Sequence, residues 1–132
     1  MDPDLPVFVG NLQEMREVFF NLLLNAVQSI GDQKGKISIH VSHKEAENSI
    51  QVQIADTGSG IAEEHLDKLF NPFFTTRHGA LGLGLFVTKQ IVHRMGGSIR
   101  VESRLHEGSL FMVSLPCRTA EVGQPLGEFV KS

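Results

Sequence analysis

Apolar residues recur at intervals of three and four from Leu12 onward, with Met15, Phe19, Leu22, Leu23, Ala26 and Ile30 completing one stripe. That spacing predicts an amphipathic helix buried along the stripe, with Asn11 as N-cap and Gly31 and Gly35 as its stop. A second helix is expected from Gly82 to Met95, where Leu83, Val87, Ile91 and Met95 fall in register before Gly96-Gly97. Elsewhere the period is two. Lys36 to His43 sets Ile37, Ile39 and Val41 on one face, and Ser49 to Ala55 follows after the polar Lys44 to Asn48, so the pair reads as an antiparallel hairpin. Ser98 to Ser103 and Ser109 to Leu115 make a second hairpin through His106-Glu107-Gly108. Leu5 to Val9 reads as an edge strand, Ala62 to Leu69 as a short helix, and Phe70 to Ala80, with Pro72 and Gly79, as a loop. Helix, hairpin, helix, hairpin predicts an α+β fold: a two-layer sandwich with helices on one face of a mostly antiparallel, mixed sheet.

The alternation of Ile50, Val52 and Ile54 continues to Asp56, which carries a carboxylate onto the buried side of the strand. Burying it unpaired costs several kcal/mol, so the pattern asks for a donor aimed at it. By local rules alone, Asp56-Thr57-Gly58-Ser59-Gly60 is a strand ending in an Asp-Gly turn. Gly58 and Gly60, lacking side chains, let the backbone approach such a donor.

On the first helix Glu14, Glu17, Asn21, Asn25 and Gln28 share a stripe of about 80°. Solvent is the ordinary destination of such a stripe. Carboxamides one turn apart, flanked by Phe19, Phe20, Leu22, Leu23 and Leu24, also suit a hard cation such as Mg²⁺ carried by a polyphosphate. Gly82-Leu83-Gly84-Leu85 places glycines at a helix start, where unpaired N–H groups attract anions, and Thr75, Thr76 and Arg77 add hydroxyls and a cation just before it.

Composition narrows the classes. The chain has 132 residues, enough for one domain, and a formal net charge of −3 that gives no reason to expect nucleic acid. Its lone cysteine, Cys117, excludes an internal disulfide framework, and its scattered histidines show no metal-cage spacing. No apolar run reaches the roughly 18 residues of a spanning helix, so the chain as given reads as soluble, without membrane contact.

Taken in order, Asn21-Leu22-Leu23-Leu24-Asn25-Ala26, Asp56-Thr57-Gly58-Ser59-Gly60-Ile61, Phe70-Asn71-Pro72-Phe73-Phe74-Thr75-Thr76-Arg77 and Gly82-Leu83-Gly84-Leu85 resemble the N, G1, F and G2 boxes of the ATP-binding catalytic domain of bacterial sensor histidine kinases. The resemblance covers about Leu5 to Pro116, and within the family the short loop is similar to the nitrogen-regulation and sporulation sensor type. It implies a Bergerat-type ATP-binding fold, shared with DNA gyrase and heat-shock chaperones, over residues 1–117, with 118–132 as a tail or linker. It implies ATP and Mg²⁺ as cofactors. Asp56 would accept the adenine amino proton, with Gly58, Gly60 and Ile61 around the base. Asn21 and Asn25 would hold Mg²⁺ and phosphate, leaving open which ligates the metal. Thr75, Thr76 and Arg77 would meet phosphate, Gly82, Leu83, Gly84 and Leu85 would cradle it, and 70–81 would form a lid. Glu17 would help organise water or metal without acting as general base.

The implied activity is transfer of the γ-phosphoryl group to a histidine on a separate dimerisation domain, then to a response-regulator receiver domain. The implied setting is the cytoplasm, whether or not the parent protein is anchored in a membrane. Two departures stand out: Ala80-Leu81 replaces the usual Gly-Thr or Gly-Ser, and no acceptor helix with His-Glu or His-Asp precedes the domain. The chain is therefore expected to be the C-terminal part of a longer sensor. A non-transferring adenine-nucleotide sensor and an anti-sigma-type serine kinase are the competing readings.

Overall fold

The computed structural model describes residues 6–7, 11–74 and 84–119. Helix α1 (Leu12–Ile30) begins where Asn11 Oδ1 accepts a hydrogen bond from the Glu14 N–H at 3.1 Å, and it ends at Gly31 with φ of 66°. Strands β2 (Ile37–Lys44) and β3 (Ser49–Asp56) form the expected hairpin across a 3₁₀ turn at Glu45–Glu47. Helix α2 (Glu63–Leu66) is shorter than its pattern, because Lys68 and Leu69 bond back three residues and tighten the chain into turns. Helix α3 (Gly84–Arg94) closes as Gly97 N–H reaches Val92 O at 2.9 Å and Gly96 N–H reaches His93 O at 3.0 Å, with Gly96 at φ 82°. This is a Schellman stop, and glycine suits its left-handed residue. Gly82 and Leu83, expected to open that helix, lie outside the described residues.

Strands β4 (Ser98–Arg104) and β5 (Gly108–Pro116) complete a four-stranded sheet of order β2-β3-β5-β4, antiparallel at each pairing. Separately, β1 (Pro6–Val7) pairs antiparallel with β6 (Arg118–Thr119). A two-residue backbone pairing leaves no periodicity in sequence, which is why the side-chain pattern stops at Pro116 while hydrogen bonding continues.

Register decides the core. Val52, Ile54 and Asp56 stand opposite Val113, Phe111 and Ser109, which in turn face Ile99, Val101 and Ser103 on β4. The apolar members of these rows pack against Val18, Leu22 and Ala26 of α1 and Ile91 and Val92 of α3. Strand β5 sits between β3 and β4, and Phe111, Met112 and Val113 are buried in succession. At the other extreme, Ile39 and Val41 of the edge strand β2 remain 57% and 61% exposed.

The segment after β3 is fastened on three sides. Thr57 exchanges hydrogen bonds with Lys36, its N–H donating to the carbonyl at 3.1 Å and its Oγ1 accepting from the amide at 2.9 Å. The Ser59 N–H donates to Ser29 O at 3.0 Å, tying the strap to the end of α1, while Ser59 O accepts from the His106 N–H at 2.6 Å. Ile61 N–H donates to Ser103 Oγ at 2.8 Å. A Cβ at Gly58 would lie 2.6 Å from the Ser29 carbonyl carbon, and one at Gly60 would lie 2.0 Å from Arg104 O. Packing within the protein therefore already demands glycine at both positions.

Leu22→Ala, which empties a fully buried site between helix and sheet, is expected to cost about 2 to 5 kcal/mol in urea unfolding. Gly60→Ala combines a backbone collision with a left-handed φ of 73° and should cost about 2 kcal/mol or more, measured by thermal melting without any ligand.

Candidate functional site

Asp56 ends β3 at 6% exposure, on the face that its sequence parity assigns it. Its Oδ1 accepts from the Gly58 N–H at 2.8 Å, so the first turn of the strap consumes one carboxylate oxygen. Its Oδ2 is buried and has no hydrogen-bond partner among the described residues. Native structures rarely leave such an acceptor unpaired, because desolvation without a replacement donor costs more than a hydrogen bond returns. An N–H donor delivered by a ligand answers that need. Asp56 also lines an open depression of about 290 Å³ with Ser103, Gly108, Ser109 and Leu110.

Ser103 joins the pieces around it. Besides receiving Ile61, its Oγ donates to Gly108 O at 2.9 Å and lies 2.8 Å from Ser109 Oγ. With its one proton given to the carbonyl, the serine pair must run from Ser109 to Ser103. Gly108, at φ 122°, has no room for a Cβ, which would lie 2.1 Å from Asp56 O. Sequence reasoning passed over Ser103 and Ser109, since a serine at a strand position carries no signal until its neighbours across the sheet are known.

The polar stripe of α1 divides when α3 packs beside it. Glu14 is spent on an ion pair with Arg94 near the far end of α3, at 2.5 Å. Glu17 and Gln28 are exposed, as an ordinary solvated stripe would have them, whereas Asn25 is buried at 9% exposure. Asn21 meets α3 directly: its Nδ2 donates to Thr88 Oγ1 at 3.2 Å and to Gly84 O at 3.4 Å. Thr88 is fully buried and donates its own hydroxyl proton to Gly84 O at 2.8 Å. It too escaped the sequence reading, lying between Val87 and Ile91 as one more small helical residue.

Two of the expected phosphate-binding residues, Gly84 and Leu85, open α3, whose N-terminus therefore stands beside Asn21. A Cβ built at Gly84 meets no described atom nearer than Asn21 Cγ, at 4.0 Å. Unlike Gly58 and Gly60, this glycine is not demanded by packing among the described residues. Thr75, Thr76, Arg77, Gly82 and Leu83 lie outside the described residues. The loop leading toward them is anchored by Phe70, whose ring lies 5.2 Å from Lys89 Nζ of α3, and by Phe74, edge-on to His65 with ring centroids 5.5 Å apart. Ile61 is half-buried against the core. None of the helices among the described residues is long and apolar enough to cross a membrane.

The family described as histidine kinase-, DNA gyrase B- and HSP90-like ATPase matches residues 10–119. Sensor histidine kinase ZraS of Escherichia coli (strain K12) is 41% identical over 112 residues, which cover 85% of this chain and 23% of ZraS. The C4-dicarboxylate transport sensor protein DctB of Rhizobium meliloti (strain 1021) is 41% identical over 115 residues, 87% of this chain and 18% of DctB. The chain thus spans less than a quarter of the length of these relatives. Among solved structures, full-length ShkA in complex with AMPPNP superposes with a TM-score of 0.78 at 27% identity, over 90% of this chain and 25% of that one. A sheet covered on one face by two helices, a buried aspartate at a glycine-rich strand end, and a match spanning nearly all the described residues establish that this chain belongs to the histidine kinase-, DNA gyrase B- and HSP90-like ATPase family.

Proposed function

We propose that the chain binds ATP with Mg²⁺ and presents its γ-phosphoryl group to a histidine on a separate dimerisation domain, from which a response-regulator receiver domain takes it. The observation that carries the nucleotide half of this reading is the buried, unpaired Oδ2 of Asp56. An exocyclic amino group supplies the donor that oxygen lacks, and adenine carries one where guanine carries a carbonyl. The strap holds the carboxylate at fixed height, so the base meets an acceptor already desolvated and oriented. Gly58 and Gly60, which fold the strap tightly, and Ile61, half-buried beside it, would form the wall against the ring.

The carboxamide oxygens of Asn21 and Asn25 are hard and neutral, and fit Mg²⁺ that keeps most of its ligands from phosphate and water. When bound, the metal neutralises charge on the β- and γ-phosphates. The α3 N-terminus, beginning at Gly84-Leu85, would support phosphate through the N–H groups of its first turn and its dipole. Thr75, Thr76, Arg77, Gly82 and Leu83 take phosphate-facing roles in this reading by their place in the motifs. Glu17, exposed on α1, is left as a residue that organises water rather than a base. Transfer breaks the bond between the γ-phosphorus and its bridging oxygen and forms one to the histidine ring nitrogen, with ADP leaving. Positioning and charge stabilisation carry most of such a reaction. The similarity to sensor kinases far longer than this chain supports a partner domain as the source of the histidine.

Asp56→Asn puts an amide that also donates where adenine needs an acceptor. It should weaken ATP binding by about ten-fold or more while affecting GTP much less, measured by titration calorimetry. Equal losses for both nucleotides would remove the adenine role. Mixing the chain with the histidine-bearing domain of its own parent protein and γ-labelled ATP should give an acid-labile phosphoprotein; tight ATP binding without label transfer would mark a nucleotide sensor, and acid-stable label a serine kinase.

A further inference from the structure

The hydrogen bonds around Asn21 have a direction that sequence could not supply. A carbonyl oxygen only accepts, so the atom of Asn21 facing Gly84 O must be the amide nitrogen, and its orientation is settled by that contact. The same nitrogen donates to Thr88 Oγ1 at 3.2 Å. Thr88 can accept because its own proton is turned to Gly84 O, four residues back along α3, leaving a lone pair toward α1. The nitrogen end of Asn21 is thereby turned to α3. The oxygen end is left to face a ligand, and an oxygen can take a cation or a donor but repels phosphate.

We infer that Thr88 is a positioning residue which fixes the carboxamide of Asn21 with its oxygen turned to the metal, making Asn21 a magnesium-side rather than a phosphate-side group. This rests on the reading of the site as an ATP–Mg²⁺ site, and deepens it by separating two roles that the asparagine pair left open. An ordinary helical threonine also bonds its hydroxyl to the carbonyl one turn back. That habit explains the proton of Thr88 and not its lone pair, which meets a side chain on another helix. Packing does not require the hydroxyl either, since valine has the same shape and would fill the fully buried position without a polar atom to satisfy.

The test uses the whole chain and AMP-PNP, titrated in Mg²⁺ and again in EDTA. Thr88→Val should weaken binding about three- to ten-fold in Mg²⁺, the worth of one hydrogen bond, and leave the EDTA affinity as it was. Thr88→Ser, which keeps the hydroxyl, should bind like the parent in both. In the ligand-free protein, the side-chain amide protons of Asn21 should exchange slowly by NMR, and faster in Thr88→Val. Asn21→Ala separates the two levels of the claim. If it loses Mg²⁺-dependent affinity and Thr88→Val does not, the positioning role falls and the metal site stands; if Asn21→Ala itself loses none, the assignment of Asn21 to the metal falls and the inference with it. Equal losses for Thr88→Val in Mg²⁺ and EDTA, or fast exchange of the Asn21 amide in the parent protein, would overturn it as well.

Discussion

A carboxylate taken out of water must be answered by donors, and around Asp56 the protein supplies half of them. The Gly58 N–H satisfies Oδ1, while Oδ2 is left buried without a partner among the described residues. The surroundings hold that arrangement in place. Ser59 is bonded to the end of α1 and to the β4–β5 turn, Ile61 to Ser103, and Thr57 to the start of β2. A strap fixed at so many points cannot relax to bring a backbone N–H to the second oxygen. A buried acceptor held this way is the feature on which the adenine-binding proposal rests.

The same rigidity gives the glycines two masters. Gly58, Gly60 and Gly108 sit where backbone from another element passes too close for a Cβ, so the fold would demand them in the absence of any ligand. Gly84 differs, with open space toward Asn21 among the described residues. Motif glycines are therefore not equivalent. Those of the strap hold Asp56 in place, while the one opening α3 faces Asn21 without close packing among the described residues.

Helix α1 serves both the core and the site by dividing its surface. Val18, Leu22 and Ala26 pack in the core, and Asn21, one step around the helix, faces the seam with α3. Because apolar burial and the polar seam share one rigid helix, the depth at which Leu22 packs also sets the height of the carboxamides. Glu14 and Arg94 clip the helices together at the opposite end from Gly84.

Much of this was legible in the chain itself. The periods of three-to-four and two located α1, α3 and both hairpins, since burial of one face is written directly into side-chain spacing. The parity that put Asp56 on the buried side of β3 needed only the alternation Ile50, Val52, Ile54. Pairing beyond nearest neighbours was not legible. That β5 lies between β3 and β4, that Ile39 and Val41 stay exposed at an edge although they alternate like core residues, and that Arg118–Thr119 meets Pro6–Val7 all depend on contacts distant in sequence. So do the hydroxyls of Ser103, Ser109 and Thr88, whose donors and acceptors come from other elements. Spacing along one chain determines which face a residue takes; which atom waits there with a lone pair or a proton was decided only when the second helix and the central strand came to rest against the first, because hydrogen-bond direction is a property of pairs.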